Sequence, residues 1–279
     1  MIRVAALTIY PIKSASGIDV DTLELDEYGA AGDRRWLVVD ETGTAITART
    51  HHVLVTVRPT LATDSRNGAI ILNAPSGTAL RIEIPTGAAT VRQVTVWDDT
   101  VLARDAGDEA AAWLRDRLGV TCRLVYLDPA AQRPLRSKYA GPVSTESRRV
   151  AFSDGAPLLL LGLPAVDLLA DRLAADGTPS QIDRRRFRAN IWLEGLEPHE
   201  EDQWRAVRIG DVTVGVGNHC PRCVFTTVDP DSAVAGVEPM RTLATYRREE
   251  GAVVFGVNAT HATTGVIRVG DAVTVLERR

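Results

Sequence analysis

The sequence predicts a strand-rich α+β fold in two parts, and three observations lead to this prediction. Short apolar stretches punctuated by turn residues dominate roughly the first hundred of the 279 residues. Patterns typical of helices, with recognisable beginnings and ends, appear only later in the chain. A polar segment with three prolines, residues 128–149, lies near the middle of the chain, and we interpret it as a linker or long loop.

The N-terminal stretches have the composition and alternation of β-strands. Residues 81–84 alternate polar and apolar side chains, and Asn67-Gly68 is a strong hairpin signal. We expect these stretches to form a twisted antiparallel sheet or a small barrel. The predicted strands are residues 36–40, 46–49, 52–57, 69–72, 81–84 and 94–97.

Helices and further strands alternate in the rest of the chain. Glycines end the first two predicted helices, and a proline stands in the first turn of the second and the third. The predicted helices run from Asp108 to Gly119, from Pro164 to Gly177 and from Pro239 to about Gly251. The later predicted strands are residues 122–127, 191–193, 207–216, 224–228, 253–257 and 272–276.

The composition excludes several classes of protein. A formal net charge of −4 creates no overall field that attracts nucleic acid or an anionic membrane surface. The apolar run at the N-terminus is too short to span a membrane and lacks a small-residue cleavage site, and Gly162 and Pro164 break the leucine run 158–161. We therefore expect a soluble cytoplasmic protein without a membrane span. Three cysteines do not form a disulfide framework in a chain of this size, so reduced thiols are expected.

Two of the cysteines form the pair Cys220-Pro221-Arg222-Cys223, for which four interpretations compete. Structural zinc requires four ligands, which the remaining cysteine and the histidines do not supply at finger spacing. A redox dithiol requires a helix after its first cysteine, whereas residues 224–228 predict a strand. Two inert buried cysteines and a single thiolate ligand for a soft metal centre remain. Spacing alone slightly favours the inert pair, and the polar loop before a predicted strand favours the ligand.

Basic residues recur at the starts and ends of predicted strands. Lys13 and Ser14 follow an apolar start, Arg34 precedes the strand 36–40, and Arg188 and Asn190 alternate with apolar residues on one face of a predicted strand entry. If these ends converge, they form a cationic bowl that suits a phosphate or an oxygen-rich anion. The other interpretation is that the arginines are solvated and paired with surface carboxylates, which we favour for each of residues 184–186.

The motifs together resemble the MOSC proteins, and most closely the mitochondrial amidoxime-reducing component and its bacterial relatives. The resemblance runs nearly end to end. In chain order, the motifs that carry it are YPIKS, GDRRWLVVD with TART, VW, GDEAAAWL, FSDGAPLLLL, RRFRANI, IGDVTV, CPRCVFTTVDPDS, EPMRTLATYR and GVIRVGDAV. The resemblance implies a MOSC N-terminal β-barrel region at residues 1–120 and a MOSC β-barrel domain with a few helices at residues 121–279.

The resemblance also implies a cofactor and the residues that hold it. The cofactor is a molybdenum cofactor, in which molybdopterin holds the metal and one protein cysteine completes the coordination of the metal. In the family motif the second cysteine is this metal ligand and the catalytic residue, and in this chain it is Cys223. Cys220 is a neighbour of uncertain role. The residues expected to contact the cofactor are Lys13, Ser14, Arg34, Arg188 and Asn190. The family also carries an association with pyridoxal phosphate binding.

The implied activity is the reduction of N-hydroxylated compounds such as amidoximes, hydroxylamines or N-hydroxylated bases. The alternative is a non-catalytic carrier of the cofactor, or of sulfur as a persulfide on Cys223. Asp229 and Asp154 are candidate general acids because they lie beside matched motifs. The chain ends at Arg279 without the cysteines of a ferredoxin-type domain, so we expect a separate electron donor of ferredoxin, flavoprotein or cytochrome type.

Two segments depart from the family pattern. The family often has hydroxyl residues after the Asp of the FSD segment, where this chain has Gly155 and Ala156. A cofactor contact there is therefore expected to be missing or to be made by backbone amides. The turn at residues 229–236 is longer and less polar than the family's DPDTG turn, which bears on local loop geometry and on substrate access.

Overall fold

The computed structural model describes residues 1–62, 69–142, 149–175, 177 and 182–279, and these confirm the strand-rich α+β class. The described strands are, in chain order, β1 (Arg3–Ile9), β2 (Ile18–Val20), β3 (Thr22–Asp26), β4 (Gly29–Ala30), β5 (Trp36–Val39), β6 (Arg58–Leu61), β7 (Ile70–Asn73), β8 (Leu80–Ile82), β9 (Val91–Val96), β10 (Asp99–Asp105), β11 (Arg123–Leu127), β12 (Leu158–Gly162), β13 (Ile191–Glu194), β14 (Trp204–Ile209), β15 (Val212–Pro221), β16 (Arg248–Glu249), β17 (Ala252–His261), β18 (Gly265–Arg268) and β19 (Val273–Arg278). The described helices are α1 (Asp108–Leu118), α2 (Leu163–Ala175) and α3 (Met240–Leu243), together with the short 3₁₀ helices His52–Thr56, Ser137–Tyr139, Arg184–Phe187, Glu200–Gln203 and Val224–Thr227.

Four sheets arrange these strands. In the described part of the chain, the largest sheet has nine strands in the order β19-β14-β15-β17-β12-β13-β1-β2, with β16 beside β17. Its strand pairs are antiparallel except for β12 with β13. The smaller sheets have the orders β5-β11-β10-β9, β18-β3-β4 and β6-β7-β8. The first two strands thus share a sheet with strands from the end of the chain, and the division of the chain at residue 120 stays a prediction.

Two strands carry unbroken apolar runs because both of their faces are covered. In β5, Trp36 and Val38 pack into one apolar cluster, whereas Leu37 and Val39 pack into a second cluster that contains Phe152. β12 is likewise buried at all five of its positions. Continuous runs rather than alternation are expected for strands that are buried on both sides.

The helices begin and end as their sequences predict, except for the third. Asp108 and Glu109 lie in the first turn of α1, and Gly119 ends it in the left-handed conformation, with its N–H donating to the Arg115 carbonyl at 2.9 Å. α2 buries one side, including Leu169 and Leu173, against the nine-stranded sheet. No helix in the described ranges is long and apolar enough to cross a membrane.

Besides the stretch that follows the cysteine pair, three predicted strands were wrong in kind or extent. The apolar run at residues 52–57 forms the 3₁₀ helix His52–Thr56, whose last hydroxyl donates back to the Val53 carbonyl at 2.8 Å and so supports the turn. Residues 46–49 form no strand. The single predicted strand 207–216 is the pair β14 and β15, because Gly210 takes the left-handed conformation (φ 53°) that the intervening turn requires.

The third predicted helix was too long. The structure has only the short helix α3, which ends at Leu243. The N–H groups of Tyr246 and Arg247 both donate to the Leu243 carbonyl, and the chain then enters β16. In the predicted linker, the described residues 128–142 and 149 form one 3₁₀ turn, Ser137–Tyr139, and an isolated bridge. The predicted hairpin at residues 67–68 lies outside the described residues.

Glu201 anchors β12 from the 3₁₀ helix Glu200–Gln203. Its side chain is fully buried, and its Oε1 accepts the Gly162 N–H at 3.0 Å. Oε2 has no hydrogen-bond partner among the described residues. Burial raises the pKa of this carboxyl from 4.5 to about 7. The folded chain therefore keeps a proton on Glu201 in a pH range where the unfolded chain has lost it.

This carboxyl is expected to make stability depend on pH. Between about pH 4.5 and pH 7 the native state binds more protons than the unfolded state, so the free energy of unfolding falls as pH rises. Glu201→Gln keeps an acceptor for the Gly162 N–H and removes the ionisation. Relative to the wild type, we expect the variant to gain about 3 kcal/mol of stability between pH 5 and pH 8, measured by urea unfolding at each pH. A difference between the two proteins that does not change with pH would contradict this assignment.

Candidate functional site

All six site residues predicted from the sequence line one cavity of about 490 Å³. They are Lys13, Ser14, Arg34, Arg188, Asn190 and Cys223. They come from the segment after β1, the turn before β5, the segment before β13 and the segment after β15. The segments after β1 and before β13 meet because these two strands pair antiparallel, which brings the end of one beside the start of the other. The turn before β5 joins them through the Arg34 N–H, which donates to the Tyr10 carbonyl at 2.7 Å.

The fourth segment reaches the cavity because the end of β15 is irregular. Its register with β17 shifts between Val216 and His219 and again between His219 and Pro221. Such irregularities bend a strand and re-aim its side chains, and they are frequent beside binding sites. As a result Cys220 and Cys223 line the same cavity as the basic residues.

Asp33 holds the basic side of the cavity together. Its buried carboxylate accepts hydrogen bonds from the Tyr10 N–H (2.8 Å), from Arg34 Nη1 (2.5 Å) and from Asn190 Nδ2 (3.1 Å). Asn190, which is fully buried, in turn accepts from Arg34 Nη1 at 3.1 Å and from the Leu159 N–H at 3.2 Å. Three distant parts of the chain are thereby joined through one carboxylate.

Tyr10 contacts two guanidinium groups with its ring and was not recognised from the sequence. The Cζ atoms of Arg34 and Arg188 lie 4.9 Å and 4.1 Å from the centre of its ring. Its hydroxyl donates to the Ala189 carbonyl at 3.1 Å, and burial raises the pKa of the phenol to about 12. The signal in the sequence is an aromatic residue between the end of β1 and Pro11. Only the two arginines, which are far away in the chain, give it a role.

Arg188 reaches the cavity by a different route from the one predicted. The expected alternation of Arg188 and Asn190 along a strand was wrong, because Arg184–Phe187 is a 3₁₀ helix and Arg188 follows it with a φ of 56°. Its Nη1 donates to the Ala15 carbonyl, and its buried Nη2 has no partner among the described residues. Burial, reinforced by the charge of Arg34, lowers the pKa of this guanidinium to about 10.

The neighbouring arginines have separate partners. Arg184 pairs with Asp19 at 3.4 Å, and Arg185 pairs with Asp231 at 2.6 Å, as the solvated interpretation predicts. Arg186 differs because it is largely buried and lines the cavity while its Nη2 pairs with Asp229 at 2.8 Å. Its Nε is buried without a partner among the described residues.

Lys13 and Asp154 form an ion pair at the cavity wall. Lys13 Nζ also donates to the Phe152 carbonyl at 2.8 Å, and burial lowers the pKa of the ammonium group. Although burial acts to raise the pKa of Asp154, the charges of Lys13 and Arg49 hold it far below its ordinary value. Hydrogen bonds led by the Ser232 N–H lower the pKa of Asp229 as well. Both candidate general acids are therefore ionised near neutral pH and can only accept protons there.

The two cysteines of the pair have different surroundings. Cys220 packs against the apolar cluster that contains Phe255, and burial raises the pKa of its thiol. Cys223 precedes the 3₁₀ helix Val224–Thr227, so the predicted strand 224–228 was wrong. The Thr226 hydroxyl donates to the Cys223 carbonyl at 3.0 Å, which favours a turn over a strand. Residues 224–228 therefore do not exclude a redox dithiol, whereas the raised pKa of the Cys220 thiol disfavours its thiolate.

Arg222 positions the segment between the two cysteines. Its Nε donates to the Phe255 carbonyl at 2.9 Å and its Nη1 donates to the Phe187 carbonyl at 2.8 Å. Its Nη2 is buried without a partner in the described ranges. Arg186, Arg188 and Arg222 thus each present a buried N–H group without a protein acceptor among the described residues. Buried donors of this kind require an acceptor, which an anionic group in the cavity would supply.

Comparison with known proteins identifies the family. A protein of Mus musculus named mitochondrial amidoxime-reducing component 1 is 35% identical over 98% of this chain and 82% of its own length. The chain belongs to the MOSC family of the amidoxime-reducing components. Proteins with the same name from Danio rerio and Homo sapiens are 33% and 32% identical, over 97% and 98% of this chain and 83% and 82% of their own lengths.

The domain models of the MOSC family agree with this result. Residues 1–121 match the MOSC N-terminal beta barrel domain, and residues 147–274 match the MOSC domain. The family resemblance read from the sequence motifs is therefore confirmed. The cytoplasmic location and the association of the MOSC family with pyridoxal phosphate stay predictions.

Proposed function

We propose that this chain holds a molybdenum cofactor and uses it to reduce N-hydroxylated compounds such as amidoximes, hydroxylamines or N-hydroxylated bases. The observation that carries the proposal is the convergence of Cys223, Lys13, Arg34 and Arg188 on one cavity. A cysteine thiolate is a soft ligand suited to such a metal, and the buried cations suit the phosphate and pterin end of the cofactor. When bound, the cofactor supplies the two-electron redox chemistry.

The donor set of the cavity fits this group. Asp33 orients Arg34 through an ion pair, so the remaining donors of Arg34 are pre-positioned. Asn190 supports this orientation by accepting from Arg34 Nη1, while its own Nδ2 donates to the Thr8 carbonyl and to Asp33. Arg188 has a buried Nη2 without a partner among the described residues, as a site for an anion requires. Lys13 and Ser14 line the same wall. We assign these five side chains to holding the cofactor and Cys223 to binding the metal.

The net reaction defines what the protein must supply. An amidoxime gains two electrons and two protons and becomes an amidine and water, while the N–O bond breaks. Asp154 stays ionised at the cavity wall, so its carboxylate can orient an N–H group of the substrate by accepting a hydrogen bond. We assign the supply of electrons to a separate protein of ferredoxin, flavoprotein or cytochrome type.

We also propose that the chain divides into two domains, the MOSC N-terminal β-barrel region at residues 1–120 and the MOSC domain at residues 121–279.

One preparation tests the proposed function against its alternative. The protein is produced in a host that makes molybdopterin, and its molybdenum content and its reduction of benzamidoxime by an artificial electron donor are measured. We expect about one molybdenum per chain together with turnover. A labile persulfide on Cys223 without molybdenum would instead support the sulfur carrier, which the cavity-lining position of this thiol also permits. Molybdenum without turnover would support a cofactor carrier.

A further inference from the structure

Two aromatic residues outside the assigned cofactor residues line the same cavity. Trp97 lies in the turn between β9 and β10, with a φ of 57°, a region that bulky side chains rarely adopt. It is 40% exposed although it lines the cavity. Tyr139 ends the 3₁₀ helix Ser137–Tyr139 and is half-buried. Neither residue belongs to the cationic set.

Trp97 is fixed by polar partners rather than by an apolar core. The Cζ atom of Arg49 lies 4.2 Å from the centre of the indole, and Lys13 Nζ lies 5.6 Å from it. The indole Nε1 donates to Asp154 Oδ1 at 3.3 Å. The indole is therefore tied to the carboxylate that pairs with Lys13 and that we assign to the substrate's N–H group.

Tyr139 is seated on a glycine beside the same carboxylate. A Cβ atom added to Gly155 would lie 2.6 Å from Cε1 and Cε2 of the tyrosine ring, so another residue at this position would displace the ring. Where the family often has a hydroxyl residue, this chain thus has room for an aromatic ring. An added Cβ at Gly217 would likewise lie 2.6 Å from the Tyr139 carbonyl oxygen. Close packing holds the tyrosine over the Asp154-Gly155 turn.

Ion pairs join the two segments that carry these rings. Arg136 Nη2 lies 3.1 Å from Asp99 and 3.5 Å from Asp98, and Arg133 Nε donates to Asp99 at 2.8 Å. The turn that carries Trp97 and the 3₁₀ helix that carries Tyr139 are therefore held to each other. Both rings also lie against residues of the Asp154-Gly155 turn.

We propose that Trp97 and Tyr139 form an aromatic subsite that binds the planar, conjugated substituent of an N-hydroxylated substrate. This inference rests on the proposed function, because it takes the N-hydroxylated head group to lie at Asp154. A flat conjugated ring stacks on the indole or against the phenol ring, whereas a methyl group in its place makes few of these contacts. The subsite thus selects aromatic over small aliphatic amidoximes.

A matched pair of ligands tests this subsite. Benzamidoxime and acetamidoxime share the head group and differ only in phenyl against methyl. Their dissociation constants are measured by calorimetry on molybdenum-loaded protein without any reductant, so no turnover occurs. Trp97→Phe removes the indole N–H that donates to Asp154 but keeps an aromatic ring, so it is the reference for Trp97→Ala. Relative to Trp97→Phe, we expect Trp97→Ala to bind benzamidoxime about tenfold more weakly and acetamidoxime equally well. Tyr139→Leu weakens benzamidoxime selectively in the same way, and Tyr139→Phe does not.

The outcomes separate this inference from the proposed function. An equal loss for both ligands, or no loss for either, overturns the aromatic subsite, because the rings then act only on the head-group site or not at all. Molybdenum is quantified in every variant. A variant that loses the cofactor would show that the ring holds the cofactor and not the substrate, which also overturns the subsite. Selective binding in a protein that never reduces benzamidoxime would leave the subsite standing and overturn the proposed function.

Discussion

Asp33→Ala is expected to lower the free energy of unfolding by about 3–5 kcal/mol, because it leaves a buried guanidinium without its carboxylate. The side chains of Asp33 and Arg34 are only 4% and 13% exposed, so water cannot replace the lost partner well. The substitution also leaves the Tyr10 N–H and Asn190 Nδ2 without the same acceptor. Urea unfolding of the purified variant measures the loss.

A surface ion pair provides the matched control for Asp33. Glu277 lies 3.4 Å from Arg205, and both side chains are about half exposed. Glu277→Ala removes a carboxylate from an arginine in water, so we expect a change within about 1 kcal/mol. Because Asp33 also orients Arg34, its variant is expected to retain less molybdenum, whereas the control keeps its full content. Equal losses of stability in the two variants would show that Asp33 is not the centre of the basic wall.

Cys223→Ser is expected to reduce the rate of amidoxime reduction at least about a hundredfold, which is the upper end of the loss caused by removing an outer-shell partner of a metal ligand. A serine hydroxyl is a hard, protonated group at neutral pH and does not replace a thiolate. Cys223 is only partly buried, so the variant is expected to fold with about wild-type stability. Steady-state reduction of benzamidoxime by an artificial donor measures the effect.

Cys220→Ser distinguishes the two thiols. Cys220 packs partly into an apolar cluster, and burial raises the pKa of its thiol, which disfavours the thiolate that a metal requires. We expect its substitution to change activity far less than that of Cys223. If the Cys220 variant lost the greater share of activity, the assignment of the metal ligand would have to be reversed.

The apolar patterns of the sequence predicted the parts of the fold that local chemistry determines. The apolar run of β5 predicts a strand, and the glycine after α1 predicts the end of a helix. The tertiary structure agrees with both of these local signals. The runs at residues 52–57 and 224–228 read equally well as strands, yet threonine hydroxyls donate back to nearby carbonyls and support 3₁₀ turns there. Apolar composition alone does not reveal this local competition.

The candidate site was predictable in its residue types and not in its supports. Lys13, Arg34 and Arg188 attract notice in the sequence because they stand at the ends of apolar strands. The roles of Tyr10 and Asp33 depend on partners more than 150 residues away, such as Asn190, which is 157 residues from Asp33. Propensity and spacing do not reveal such pairings. The antiparallel register of β1 with β13 and the hydrogen bond from the Arg34 N–H to the Tyr10 carbonyl bring these residues together.

Molybdenum X-ray absorption of the loaded protein tests the assigned metal ligand most directly. Spectra of the wild type, Cys223→Ser and Cys220→Ser are compared for the number of sulfur neighbours of the metal. The cavity geometry and the family assignment predict one sulfur fewer in Cys223→Ser and an unchanged shell in Cys220→Ser. A wild-type shell in the Cys223 variant would mean that this thiolate does not bind the metal, and the proposed site would then be wrong.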